Sequence, residues 1–142
     1  VGGGAGPGGR RLKPLLDTHV LLYWVDAPSR LTPSQARILK RVSATDPAWV
    51  SDITLWEVAT LVNKGRIRLR LPVRDWLEAA SAPPLVRRLS ISPAVAAEVA
   101  ALPETFHRDP ADRIIVACAR TAGATLLTQD RRIIESELVP TA

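Results

Sequence analysis

Four carboxylates stand where a small protein has little structural use for them. Asp17 interrupts the apolar run PLLDTHVLL, Glu57 lies inside DITLWEVATLVNKG, Asp112 inside FHRDPADRIIVACAR, and Asp130 directly follows TLLT. A buried ionised carboxylate is costly unless paired, and the run around Asp17 offers no evident basic partner. Brought within about 5 Å at an effective dielectric near 20, two such groups repel by roughly 3 kcal/mol, and further members multiply the pairs. A divalent cation removes that cost. Oxygen ligands without a Cys or His cluster favour Mg²⁺ or Mn²⁺ over zinc. A metal so held activates a water as nucleophile and stabilises charge on a phosphoryl oxygen.

Asp17 apart, these acids also have local explanations. Asp109 suits the N-cap of a helix whose first position is Pro110, which puts Asp112 third, where a carboxylate complements the helix dipole. Thr54 and Glu57 have capping-box spacing. Acids are common after strands, which covers Asp130. Capping and metal binding therefore compete for these residues, and their convergence has to decide.

The elements that would position them are legible in the apolar periodicity. KPLL is a short strand and HVLLYWV a buried helix that ends at DAPSR. TPSQARILKRV is an amphipathic helix opened by Thr32 and Pro33, with Ala36, Leu39 and Val42 at helical spacing. AWVS is a strand, and DITLWEVATLVNKG a helix closed by Gly65. RIRLRLP alternates Arg66, Arg68 and Arg70 with Ile67, Leu69 and Leu71, the period of a half-exposed extended segment. VRDWLEAAS and SPAVAAEVAALP are helices on either side of the strand LVRRLSI. The helix opened by RDPADR and the strand TLLT, beyond Gly123, come next. The order β-α-α-β-α-α-β-α-α-β-α predicts an α/β fold with a parallel sheet covered on both faces. In such a sheet ligands bind beyond the carboxyl ends of the strands, and the four acids fall at that rim.

Composition narrows the class. The chain has 142 residues with 46% hydrophobic and 23% charged residues, one ordinary domain with one core. Residues 1–12 are read as a disordered leader, since six of the first nine residues are glycine, and residues 13–142 as the single domain. The net charge of +5 falls to +2 without residues 1–13, which carry Arg10, Arg11 and Lys13, so charge alone is weak evidence for a nucleic-acid partner. One cysteine, Cys118 within IIVACA, permits no internal disulfide and suits a small buried hydrophobe. No run is long enough to span a membrane and the first residues lack a signal peptide's apolar centre, so a cytoplasmic protein is expected.

Taken together and in order, LLDTHVLLYW, SDITLWEVATLVNKGRIRL, FHRDPADRIIVACA and LLTQD resemble the PIN-domain ribonucleases, in particular the VapC-type toxins of bacterial toxin–antitoxin pairs. The resemblance spans about residues 14 to 135. It implies an α/β/α sandwich, a Mg²⁺- or Mn²⁺-dependent endoribonuclease acting on RNA, a homodimer, and inhibition by a small antitoxin protein. It also implies that Asp17, Glu57, Asp112 and Asp130 are the metal-binding catalytic acids. Thr18 and Thr128 fall where the family often carries hydroxyls that orient the acids, and Asp109 is a further supporting residue unless it only caps its helix.

Other residues are read more plainly. Arg113 is expected to pair with an acid rather than hold a phosphate. His19 and His107 are expected to pack or to lie on the surface, because metal-activated water needs neither as a proton carrier. Trp24, Trp49, Trp56 and Trp76 are core or interface anchors, unless one stacks on a base. KGRIRLRLPVR can track RNA phosphates, receive an acidic antitoxin segment, or be a solvated edge. A catalytically idle PIN-like binding module is the rival reading. Phosphoryl transfer through Asp17 is disfavoured, because the usual second aspartate two positions on is here His19.

Overall fold

The computed structural model describes residues 12–142; the predicted leader, Leu12 apart, lies outside the described residues. Four strands form one parallel sheet: β1 (Pro14–Leu16), β2 (Ala48–Ser51), β3 (Val86–Leu89) and β4 (Thr125–Leu127). Seven α-helices connect and cover them: α1 (Thr18–Asp26), α2 (Pro33–Lys40), α3 (Asp52–Asn63), α4 (Val73–Ala80), α5 (Pro93–Ala101), α6 (Pro110–Ala122) and α7 (Arg131–Ser136). This is the element order expected from the sequence, with one added 3₁₀ turn at Pro28–Arg30.

The strands are three or four residues long, so each contributes only one or two side chains to a face. Alternation decides which. Leu15 and Leu126 point to one face, where they meet Ile115, Val116 and Cys118 of α6 and Val95 of α5. Leu16, Val50 and Leu127 point to the other, against Val20 and Leu21 of α1, Val58 of α3 and Trp76 of α4. Two apolar layers with a sheet between them make the expected α/β/α sandwich. Cys118 is fully packed in the first layer, in keeping with its sequence context.

Caps fix the helix starts. Thr32 and Gln35 form a reciprocal capping box on α2, while Ser51, Ser92 and Asp109 cap α3, α5 and α6. Because Ser51 is the cap of α3, Thr54 is already helical, and the alternative capping-box role for Glu57 falls away. Gly123 ends α6 at φ +62°, the left-handed conformation that lets the chain turn at once into β4. The arginine-alternating segment keeps its expected sidedness in part: Arg66, Arg68 and Arg70 are exposed and Ile67 and Leu69 half-buried against the core, but Leu71 is exposed, and the segment joins no sheet.

One polar side chain ties the end of β4 to its surroundings. Gln35, 1% exposed, donates from Nε2 to the carbonyls of Thr128 (3.1 Å) and Ala142 (3.0 Å). Gln35→Ala leaves these acceptors without their donor and is expected to cost about 2 kcal/mol of stability, read as a lower urea midpoint at unchanged slope.

Candidate metal centre

The sheet order β3-β2-β1-β4 creates the site. From β1 the chain moves outward through β2 to β3, then returns to the other flank of β1 as β4. The crevice beyond the carboxyl ends of β1 and β4 lies at this reversal of direction, the place where open parallel sheets bind ligands. Asp17 stands at its floor, its backbone N–H bonded to Leu127 O at 3.0 Å and its side chain 7% exposed. One carboxylate oxygen accepts from Thr18 N (2.7 Å), and the other from the Thr128 hydroxyl (2.7 Å). Thr128, one residue past β4, thus locks the acid of the neighbouring strand.

Glu57 reaches the crevice from the second turn of α3. The Thr18 hydroxyl donates to its Oε1 at 2.5 Å and lies 3.2 Å from the Thr54 hydroxyl. Both threonines named from the sequence therefore fix an acid, Thr18 holding Glu57 and Thr128 holding Asp17. Asp112 arrives from the first turn of α6, where Asp109 Oδ1 accepts from its backbone N–H at 3.0 Å. Asp109 is the N-cap that the sequence suggested. It does more: Glu57, Asp109 and Asp112 each offer an oxygen, and these three atoms lie within 4.8 Å of one another.

The electrostatics record the crowding. Burial pushes the Glu57 carboxyl up from its ordinary range against the Thr18 bond, and the charges of Asp112, Asp17 and Asp109 push it further. Asp112 is raised by burial and by Asp17, Asp109 and Asp130, with the His107 bond acting the other way. Asp17 is raised chiefly by burial, in spite of its bonds to Thr128 and Thr18, and Asp130 adds to the rise. The acids lie within range of one another's charge. An all-oxygen donor set under mutual repulsion fits a hard divalent cation.

Asp130 behaves differently. Partial burial acts to raise its pKa, but the hydrogen bonds and charge of Arg132 outweigh this and hold Asp130 below the usual carboxylate range. It caps α7 through Arg132 N (2.8 Å), and the Arg132 guanidinium grips both its oxygens at 3.3 and 3.0 Å. The same guanidinium stands 3.6 Å from Asp112 Oδ2. Asp130 and Asp17 both line the cleft but lie outside the three-oxygen group, in which Asp109 joins Glu57 and Asp112.

Two sequence readings need correction. His107 is not a bystander: its Nε2 lies 2.7 Å from Asp112 Oδ2, with the side chain 17% exposed. Its place just ahead of the α6 cap lets the chain fold back over the first turn. Arg113 does not pair with an acid; it donates to the carbonyls of Phe106 (2.9 Å) and His107 (3.2 Å) and so holds that loop in place. Arg132 was missed altogether. A signal existed, since a basic residue in the first turn of a helix opposes the helix dipole and needs a local acid to explain it.

Above the acids opens a cleft of about 680 Å³. Lys64, Arg66, Trp56 and Arg132 line it, together with His19 and Tyr23, which follow Asp17 closely in the chain. Among the tryptophans Trp76 is the buried anchor, 2% exposed, and Trp56 the reverse, 59% exposed one residue before Glu57. Among the described residues no helix is long and apolar enough to cross a membrane.

A parallel sandwich with carboxylates gathered at its strand reversal defines a class of α/β proteins with an acidic site. The PIN-domain model matches residues 15–136, and the chain belongs to that family. It is similar to Ribonuclease VapC22 of Mycobacterium tuberculosis (strain ATCC 25618 / H37Rv), with 40% identity over 119 residues, 84% of this chain and 88% of that protein. Its fold matches the structure of VapBC2 from Rickettsia felis bound to a promoter DNA fragment, at 15% identity and TM-score 0.70 over 92% of this chain and 98% of that one. The DNA-bound VapBC of Salmonella typhimurium gives a TM-score of 0.66 at 18% identity, over 92% and 97% of the two chains.

Proposed function

We propose that this chain is a Mg²⁺- or Mn²⁺-dependent endoribonuclease, the toxin of a toxin–antitoxin pair, acting in the cytoplasm through residues 13–142 as one nuclease domain. The observation that carries the reading is the convergence of Glu57, Asp109 and Asp112 within 4.8 Å, at a cleft whose floor is the buried Asp17. The similarity to a ribonuclease over most of both chains supports RNA as substrate. The likeness in fold to toxin–antitoxin assemblies supports a small antitoxin partner.

Asp17, Glu57, Asp109 and Asp112 would hold the cation, with Asp130 at the margin. Bound there, a divalent cation supplies an activated water and neutralises charge on the phosphate under attack. The chain's own part is positioning. Thr128 and Thr18 donate to Asp17 and Glu57 and keep their charged oxygens aimed at the cleft, while His107 does the same for Asp112. Lys64 and Arg66 on the cleft wall meet the RNA backbone, and the exposed face of Trp56 offers a stacking platform for a base.

The direct test is incubation with RNA under Mg²⁺, under EDTA, and with Asp17→Asn under Mg²⁺. Cleavage leaving 5′-phosphate ends is expected only from the wild-type chain with metal. Cleavage that persists in EDTA and in the variant excludes the mechanism; tight antitoxin binding without any metal-dependent RNA loss favours an idle binding module. A separate expectation concerns the cationic wall. Lys64→Ala with Arg66→Ala removes two phosphate contacts, so the slope of log affinity against log salt should flatten by about 1.4 for single-stranded RNA. Fluorescence anisotropy across a salt series measures it.

A further inference from the structure

Beyond Arg132 lies a second hollow of about 330 Å³, lined by Phe106, His107, Arg132, Glu135, Ser136 and Leu138 and bordered by Thr105. Arg132 belongs to its wall and to the wall of the acid cleft as well. Arg132 is thus the residue common to both spaces; it stands 3.6 Å from Asp112 Oδ2, and His107, on the wall of the hollow, lies 2.7 Å from the same oxygen. A polymer whose phosphodiester lies over the acids has to leave the cluster in two directions. Lys64, Arg66 and Trp56 receive one; the other passes over Arg132 and meets this hollow.

The lining suits a particular occupant. Phe106 and Leu138 give it apolar surface, while Ser136 and the neighbouring Thr105 are hydroxyl residues. Glu135 brings a carboxylate, paired with Arg131 on the same helix, which opposes a phosphate but accepts from a hydroxyl or exocyclic amine. The volume is at the small end of ligand pockets, room for one flat polar-edged group rather than a run of chain. A nucleoside meets each requirement, with Arg132 placed for the phosphate joining it to the cluster.

We propose that this hollow seats the nucleoside adjacent to the scissile phosphate and that Arg132 holds the linking phosphate, which makes the hollow a determinant of where RNA is cut. The proposal rests on the ribonuclease reading and assigns that activity a subsite.

Thr105→Trp tests it, because Thr105 is exposed, stands outside the acid cluster, and a tryptophan there fills the hollow from its rim. Total bacterial RNA and a random-sequence RNA pool are digested with Mn²⁺, new 5′ ends are sequenced, and Mn²⁺ affinity and thermal midpoint are measured in parallel. The expected result is a fall of at least tenfold in kcat/KM, or a changed base preference on one side of the cut. Mn²⁺ affinity should stay within twofold and the thermal midpoint should not move. Unaltered rate and cut sites in Thr105→Trp overturn the subsite while leaving the ribonuclease reading intact. Absence of metal-dependent cleavage by the wild-type chain overturns that reading and the subsite with it. Should Thr105→Trp lose its fold, Leu138→Ala supplies the enlarged hollow, and unchanged cut sites there count equally against the proposal.

Discussion

Glu57→Gln is expected to lower metal-dependent RNA cleavage by about 10³-fold, roughly 4 kcal/mol of transition-state stabilisation, while leaving the fold intact. The amide is isosteric and still accepts the Thr18 hydroxyl through its carbonyl oxygen, so the packing around α3 has no reason to change. What disappears is one negative charge from a group of three whose oxygens lie within 4.8 Å. The charge removed belongs to a carboxyl that burial raises first and that Asp112, Asp17 and Asp109 raise further. The variant should therefore be no less stable than the wild type in EDTA, and it should bind Mn²⁺ more weakly in calorimetry. A cap or a packing residue would show the reverse pattern, with stability lost and metal affinity unmoved. Thr18→Val separates orientation from charge: Glu57 keeps its charge but loses the 2.5 Å donor that aims it, and a smaller loss, about tenfold, is expected. Single-turnover cleavage with both variants measures the difference.

How far the sequence could be read follows from the range of each interaction. The strands and helices were legible because the caps are local: Thr32 with Gln35, Ser92 with Val95 and Asp109 with Asp112 are all three residues apart. The sheet's parallel sense followed from the alternation of short apolar strands with helices. The same short range makes Asp109 deceptive. Its capping spacing fully accounts for it in one dimension, whereas in three dimensions the first turn of α6 carries its carboxylate into reach of Glu57 as well. His107 was beyond reach for a different reason, and Arg132 left only the weak signal of a basic residue at a helix start. Each is defined by a contact with Asp112 that closes only when the loop before α6 and the first turn of α7 meet at the rim, and neither residue type is diagnostic by itself. Arg113 failed through proximity, since an arginine next to Asp112 in sequence points away from it along the helix and finds loop carbonyls instead. The exposure of Trp56 was hidden too, because four tryptophans in an apolar chain look alike until the faces of the helices are assigned.

Millimolar Mg²⁺ or Mn²⁺ is expected to raise the thermal midpoint markedly at pH 8 and far less at pH 5. Asp17, Glu57 and Asp112 all have folded pKa values raised above their ordinary ones, by burial first and by the charge of neighbouring acids in addition. For an acid the sign is then fixed: the folded state holds the proton more tightly than the unfolded chain. The stability this provides is complete below the unfolded values of 3.8 for the aspartates and 4.5 for the glutamate, and it is lost as pH rises through the folded values. At pH 8 the metal-free protein therefore carries the full cost of the ionised cluster. A cation that binds only the folded, ionised form returns about 2.7 kcal/mol at a hundred times its dissociation constant, a shift of roughly 8 °C for a domain of this size. Because the folded values are raised, protons compete with the metal more strongly at pH 5 than at pH 8, so the same addition has less to relieve. Asp130 runs the other way, held ionised by Arg132, and its contribution is lost only as pH falls through its lowered value. Scanning calorimetry at both pH values, with and without metal, decides the matter. Equal metal shifts at pH 5 and pH 8, or an undiminished shift in Glu57→Gln, would mean that these carboxylates do not share an ion.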